Sequence, residues 1–203
     1  KDKKNGMVET NAFTMCLDWK GDLWISGWDC GIFHYSIEES CFKNYLTDRG
    51  RPILQGRIHT IKAFEPNKIY IGSDQGLTLF DPSTQKYITT SYNRNNSSSL
   101  SDDFVYDILK DNEGGLWITT YFGGINYSNP NSSNFTIRHC ATESARGRII
   151  SKFHEDKNGD IFIGTDDGGL FIYNPIKDKC HRYTIDKSNP NLNIHAIWSN
   201  DTY

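Results

Sequence analysis

The residues of this chain best suited to chemistry are large aromatics set beside acids, amides and arginines, and the chemistry they suit is recognition. Trp28-Asp29 and Tyr121-Phe122 place rings next to polar groups, and Arg146 and Arg148 add guanidinium donors. A sugar ring has an apolar face that stacks on an aromatic and hydroxyls that pair with carboxylate and guanidinium groups. Trp28, Asp29, Tyr121, Phe122, Arg146 and Arg148 are therefore the candidate ligand-binding residues, and an oligosaccharide or similar small molecule is the candidate ligand. Catalysis has much less support. His34, His59, His139, His154, His181 and His195 show no H-x-x-x-H or H-E-x-x-H spacing. The pair Asp166-Asp167 sits on one turn, whereas glycoside cleavage needs two carboxylates facing a substrate from two sides. No catalytic residue, metal site or cofactor is expected.

Bulk properties exclude other partners. The net charge of −3, with both signs interspersed, gives no electrostatic footprint for nucleic acid or an anionic membrane. No apolar run is long enough to span a bilayer as a helix, so no membrane contact is expected of this segment. The sequence opens on Lys1 rather than Met, which suggests processing or a longer parent chain. Cys16, Cys30, Cys41, Cys140 and Cys180 include no C-x-x-C pair, so they read as packing residues. An oxidising compartment would allow one disulfide, whose pair the sequence does not choose.

The candidate residues must be positioned by something, and a fourfold repeat supplies it. Leu23-Trp24-Ile25-Ser26, Ile69-Tyr70-Ile71-Gly72, Leu116-Trp117-Ile118-Thr119 and Ile161-Phe162-Ile163-Gly164 are equivalent stretches. Each leads to a glycine, at 31, 76, 124 and 169, at intervals of 45, 48 and 45 residues. A period of roughly 40–50 residues holding several short strands is the mark of propeller blades. Aromatic residues make up 13% of the chain, which suits pleated, half-buried surfaces. The predicted fold is all-β: a β-propeller of four-stranded antiparallel blades at about 11–47, 56–92, 103–140 and 148–185.

Turn chemistry divides each period. Asp18-Trp19-Lys20-Gly21, Asp111-Asn112-Glu113-Gly114 and Asp156-Lys157-Asn158-Gly159 join the first two strands, Gly supplying the positive φ a tight turn needs. Blade two uses Phe64-Glu65-Pro66-Asn67 at the same length. Asp81-Pro82, Asn129-Pro130 and Asn174-Pro175 end the third strands, since Pro cannot extend a paired central strand. Trp24, Tyr70, Trp117 and Phe162 are expected at equivalent buried positions between blades. A further blade is opened at 193–203, with residues 194–198 as its first strand. Propellers close their ring, so the chain is expected to be a fragment of a larger one. The two–three turns and the connections between blades share one end, the top, where all the candidate ligand-binding residues fall.

The string from Asp111 to Thr120 followed by Gly123-Gly124-Ile125, and its copy from Asp156 to Thr165 with Gly168-Gly169-Leu170, resembles the two-component regulator propeller repeat. The likeness extends from about residue 11 to the end. It implies the periplasmic sensor region of a Bacteroidetes-type hybrid two-component sensor histidine kinase, with one or two seven-bladed propellers. A β-sandwich, a transmembrane helix, a kinase and a response regulator would follow elsewhere in the protein. On that reading the segment is not an enzyme. It senses an oligosaccharide in the periplasm and regulates the kinase, its partners being the remaining blades, the kinase region and, if signalling pairs two copies, a homodimer. A protein-docking propeller scaffold and a propeller lyase or hydrolase are the alternatives.

Overall fold

The structure is a computed structural model that describes residues 11–45, 47–48, 51–52, 54, 56–129, 131, 135–138, 149–189 and 192–198. Blade one consists of β1 (Ala12–Leu17), β2 (Leu23–Gly27), β3 (Ile32–Ser36) and β4 (Cys41–Tyr45). A two-strand ladder follows, β5 (Thr47–Asp48) with β6 (Arg51–Pro52). Blade two consists of β7 (Ile58–Glu65), β8 (Lys68–Ser73), β9 (Gly76–Asp81) and β10 (Lys86–Thr90). Blade three is β11 (Val105–Lys110), β12 (Leu116–Thr120), β13 (Gly124–Ser128) and β14 (Phe135–Arg138). Blade four is β15 (Ile149–Glu155), β16 (Ile161–Asp166), β17 (Gly169–Asn174) and β18 (Lys179–Tyr183). Each is a four-stranded sheet in simple meander order, the arrangement of propeller blades. The fold class read from the repeat is therefore the fold observed.

The chain forms two compact units, residues up to 91 with 103–105, and residues 92–102 with 106 onward. Each has its own core. In the first, Trp24 packs with Ile32, Ile58, Ile61, Ile69, Ile71 and Phe80. In the second, Trp117 packs with Ile125, Phe153, Ile161, Ile163, Phe171 and Tyr173.

The six-residue offset from turn to aromatic has a specific cause. Asp18 Oδ1 accepts the backbone N–H groups of Lys20 and Asp22, and Asp18 Oδ2 accepts Trp24 Nε1–H at 3.0 Å. Asp111 repeats this with Glu113, Gly115 and Trp117, the indole bond being 2.7 Å. The carboxylate thus closes the turn and satisfies the one polar group of a buried indole. Gly21 and Gly114 complete the turns at φ 82° and 88°, conformations that side chains with a Cβ disfavour. Blade four lacks the indole, and Asp156 Oδ2 takes Asn158 Nδ2 instead. In blade two Phe64 stands at the turn and its ring meets Tyr70 at 5.6 Å.

At the other end of each blade a second lock recurs. The hydroxyls of Ser26, Ser73, Thr120 and Thr165 donate to the carbonyls of Gly31, Gly76, Gly124 and Gly169. All four hydroxyl residues are buried, and each bond spans the two–three turn. The upper turns are thereby pinned at their base while their tips stay free to vary.

Two expectations need correction. Trp24, Tyr70 and Trp117 are buried, but Phe162 is only half-buried. Trp24 lies against Tyr45 and Phe80, and Trp117 against Tyr127, Phe153 and Tyr173. Residues 192–198 form no strand. A first strand is held by the second strand of its own blade, as β15 is by β16, and no such partner exists for 194–198 among the described residues. The segment docks on blade four by two backbone bonds, Gly169 N to Leu192 O at 2.9 Å and Ile194 N to Thr165 O at 3.0 Å, and by a bond from Ser151 Oγ to Ile194 O. Ile194 also fills the space over Gly164, where an added Cβ would lie 2.6 Å from Ile194 Cγ2. Val105 covers Gly72 in the same way.

Candidate functional site

In the first unit the upper end is built around Arg57. The β2–β3 turn carries Trp28 and Asp29, with Asp29 at φ 47°. Asp29 N donates to Gly56 O at 3.1 Å, and Asp29 Oδ1 accepts Gly56 N at 2.7 Å. From the other side, Asp74 N donates to Arg57 O, and Asp74 Oδ2 accepts Arg57 N, both at 3.1 Å. His59 Nε2 lies 2.6 Å from Asp74 Oδ1. Two acids on neighbouring blades therefore grip one connection, and the grip aims the Arg57 side chain.

That side chain lies over aromatic faces. Arg57 Cζ is 4.1 Å from the centroid of Phe13 and 5.8 Å from that of Trp28. The two rings are 6.1 Å apart. Arg57 Nε is buried without a hydrogen-bond partner, while Trp28 keeps 52% of its surface exposed. The result is a half-exposed indole with a guanidinium over one face and the exposed Asp29 beside it. Stacking with lateral hydrogen bonding is the chemistry this set offers. The sequence names Trp28 and Asp29 as candidates. It does not bring Phe13 in, because Phe13 lies on a first strand and joins the platform only through the tertiary fold.

The second unit carries a different platform. Tyr121 and Phe122 meet edge to face with centroids 4.5 Å apart, and Tyr106 supports Tyr121 at 5.7 Å. Phe122 is 75% exposed. Its backbone N–H donates to Asp102 Oδ2 at 2.9 Å. Ser101 N donates to the buried Asn126 Oδ1 at 2.8 Å, and the absence of a side chain at Gly123 lets Ser101 sit against the turn. An exposed ring on a braced turn fills no core, so it is available to a ligand. Arg146 and Arg148 lie outside the described residues.

Cavities open at the lower ends. One of about 390 Å³ in the second unit is lined by Trp117, Tyr127, Glu155 and Tyr173 among others. Two of its three acids are already engaged. Asp111 holds the turn and Trp117, and Glu155 accepts the Asn112 backbone and side-chain amides. Burial pushes the Glu155 carboxyl above its ordinary range. Among the described residues, one group able to hold a metal ion, Asp18, Asp22 and His34, lies at the lower end of the first unit. Sequence spacing assigned no metal ligands there. Cys180 is held in a disulfide, whereas Cys16, Cys30 and Cys41 are free thiols.

Four meander sheets with Asp–aromatic turns define propeller blades, and comparison with known proteins narrows the kind. Residues 99–122 match the two component regulator propeller family. The chain is similar in structure to the extracellular domain of what is described as the hybrid two component system BT3049 of B. thetaiotaomicron. That likeness has a TM-score of 0.75 at 21% identity and covers 93% of this chain and 26% of that one. It is also similar to the extracellular domain of BT4673 from the same organism, with TM-score 0.66 and 20% identity over 84% of this chain and 24% of that one. PorZ, a surface component of the type-IX secretion system of Porphyromonas gingivalis, has TM-score 0.69 at 15% identity, covering 92% and 30%. No curated protein matches the chain. It spans about a quarter to a third of the length of these solved structures.

Proposed function

We propose that this chain is part of an extracytoplasmic sensor propeller that binds an oligosaccharide on its upper turns and regulates a histidine kinase carried elsewhere in the same protein. The observation that carries the reading is the pair of exposed aromatic platforms, Trp28 with Arg57 and Tyr121 with Phe122. They stand on blades similar to the extracellular domains of hybrid two component systems. The disulfide at Cys180 supports an oxidising compartment, the periplasm. Coupling to the kinase, through the remaining blades or a homodimer, is part of the same proposal. No reaction is assigned to this segment.

The test is calorimetric titration of the complete sensor protein with a panel of oligosaccharides, comparing wild type with Trp28→Ala, Tyr121→Ala and Arg148→Ala. Loss of one stacked ring should weaken binding by about fivefold or more, equivalent to about 1 kcal/mol. Unchanged affinity in all three for a sugar that does bind would remove the site from these turns. The second reading, a protein-docking scaffold, is favoured by the exposed apolar row Phe13, Met15 and Leu17 on β1. A panel without any binding sugar, together with a protein partner lost on substitution in that row, would favour it.

A further inference from the structure

The lower end of blade one differs from that of blade three at two positions that face each other. Trp24 pairs with His34 across β2 and β3, where Trp117 pairs with Tyr127. Asp22 stands at the end of its turn where blade three has Gly115. In blade three the two positions are matched sterically, since a Cβ on Gly115 would lie 2.5 Å from Tyr127 Cε2 and Oη. Blade one replaces the phenol with a shorter imidazole and uses the vacated space for a carboxylate.

The exchange leaves His34 in an unusual state. Its side chain is 13% exposed, its ring lies 4.4 Å from that of Trp24, and both ring nitrogens are buried without a hydrogen-bond partner. A buried imidazole nitrogen with no partner is costly, so its presence calls for an explanation. Nε2 lies 3.3 Å from Asp22 Oδ2 and 3.9 Å from Asp18 Oδ2. The three ligand atoms all lie within 4.8 Å of one another.

Both carboxylates are already oriented by other groups. Asp22 Oδ1 accepts Ile37 N at 2.9 Å, leaving Oδ2 to face the imidazole. Asp18 Oδ1 is bonded to its turn, and Trp24 Nε1–H fixes Oδ2. Such outer bonds are what set metal ligands in place.

From this geometry we infer that Asp18, Asp22 and His34 form a binding site for a divalent transition-metal ion, zinc being the natural occupant of one imidazole and two carboxylates. Ligands about 2.0–2.1 Å from a tetrahedral zinc lie about 3.3 Å apart. The His34–Asp22 separation already has that value, whereas Asp18 Oδ2, 3.9 Å from His34 Nε2 in a set that spans up to 4.8 Å, must move in towards both partners to close the shell. A cavity of about 200 Å³ opens in front of the three groups, giving an entry path and room for water at a fourth position. The bound ion would tie the first turn of the blade to its third strand.

The test uses the full chain, stripped with chelator and then titrated with Co²⁺ and Zn²⁺. Wild type should bind one Co²⁺ with visible d–d bands and no thiolate charge-transfer band, and Zn²⁺ should displace it. At a hundredfold excess over Kd, Zn²⁺ should raise Tm by about 5 °C. The double variant Asp22→Gly/His34→Tyr supplies blade three's matched pair, and should fold while losing the bands and the Tm response. Asp22→Asn keeps the shape and should weaken binding at least tenfold, so it decides the matter if the double variant fails to fold. No Co²⁺ binding by wild type, or equal binding by Asp22→Asn, overturns the proposal. So does a Tm that ignores chelator and zinc but follows pH, which would make His34 a plain imidazolium partner of the two acids.

Discussion

Blades one and three share the lower-end clamp of Asp, turn glycine and Trp, yet differ at the two positions that clamp leaves open. In blade three, Gly115 and Tyr127 fill the space beside Trp117 with a ring. In blade one, Asp22 and His34 put two titratable groups there. The lesson is that residues repeating with the period hold the blade together, whereas those departing from it are free to acquire other chemistry. The upper turns show the same division, because the hydroxyl–glycine lock is common to all four blades and the aromatic tips are not.

The clamp should give the largest effect. Asp111→Ala removes the partner of a buried indole N–H and of two turn amides, and should cost about 2–4 kcal/mol. Asp156→Ala removes bonds that are mostly exposed and should cost about 1 kcal/mol. Urea denaturation of the two variants checks this, and equal losses would mean the indole bond contributes nothing. The steric pairing comes next. Gly115→Asp should destabilise by about 1–3 kcal/mol through overpacking against Tyr127. Adding Tyr127→His should recover most of that loss. Simple additivity of the two changes would show that the positions are not matched.

The period made the fold legible, because Asp and an aromatic six residues apart recur in three of the four turns. What the period could not show was why. A six-residue offset is as compatible with simple hairpin spacing as with the carboxylate–indole bond. The repeat also overstated equivalence at the last blade, where Phe162 has no N–H to satisfy and is only half-buried. Residues 194–198 carry the right apolar pattern, but pattern alone does not supply a pairing partner. Trp28, Asp29, Tyr121 and Phe122 could be placed on the upper turns because chain direction alone fixes which turns share an end. Arg57 with Phe13, and Asp18 and Asp22 with His34, could not. These groups meet through strand register or through packing of adjacent blades, and local spacing encodes neither.

A smaller effect separates buried from surface chemistry. Burial pushes the Cys16 thiol up to about 11, so its thiolate is scarce near neutrality. Alkylation of Cys16 at pH 8 should be about tenfold or more slower in the folded protein than in urea, followed by peptide mass spectrometry. The sign follows from the neutral thiol being favoured on folding. Its contribution to stability is complete below pH 9 and is lost as pH rises through about 11. Equal alkylation rates would mean that Cys16 is not held in the core. Smallest of all, Phe122→Ala should change stability by less than about 0.5 kcal/mol, since a ring 75% exposed supports little. A larger loss by thermal unfolding would make Phe122 a structural residue rather than a free platform.

The proposed division between a structural lower end and a recognising upper end is tested most directly by amide hydrogen exchange on the complete sensor protein, with and without an oligosaccharide that binds it. New protection should appear at the upper segments 28–29, 56–57 and 121–122, with the lower turns 18–22 and 111–115 unchanged. Protection confined to the lower turns, or absent from all of these segments while the sugar is bound, would contradict the account.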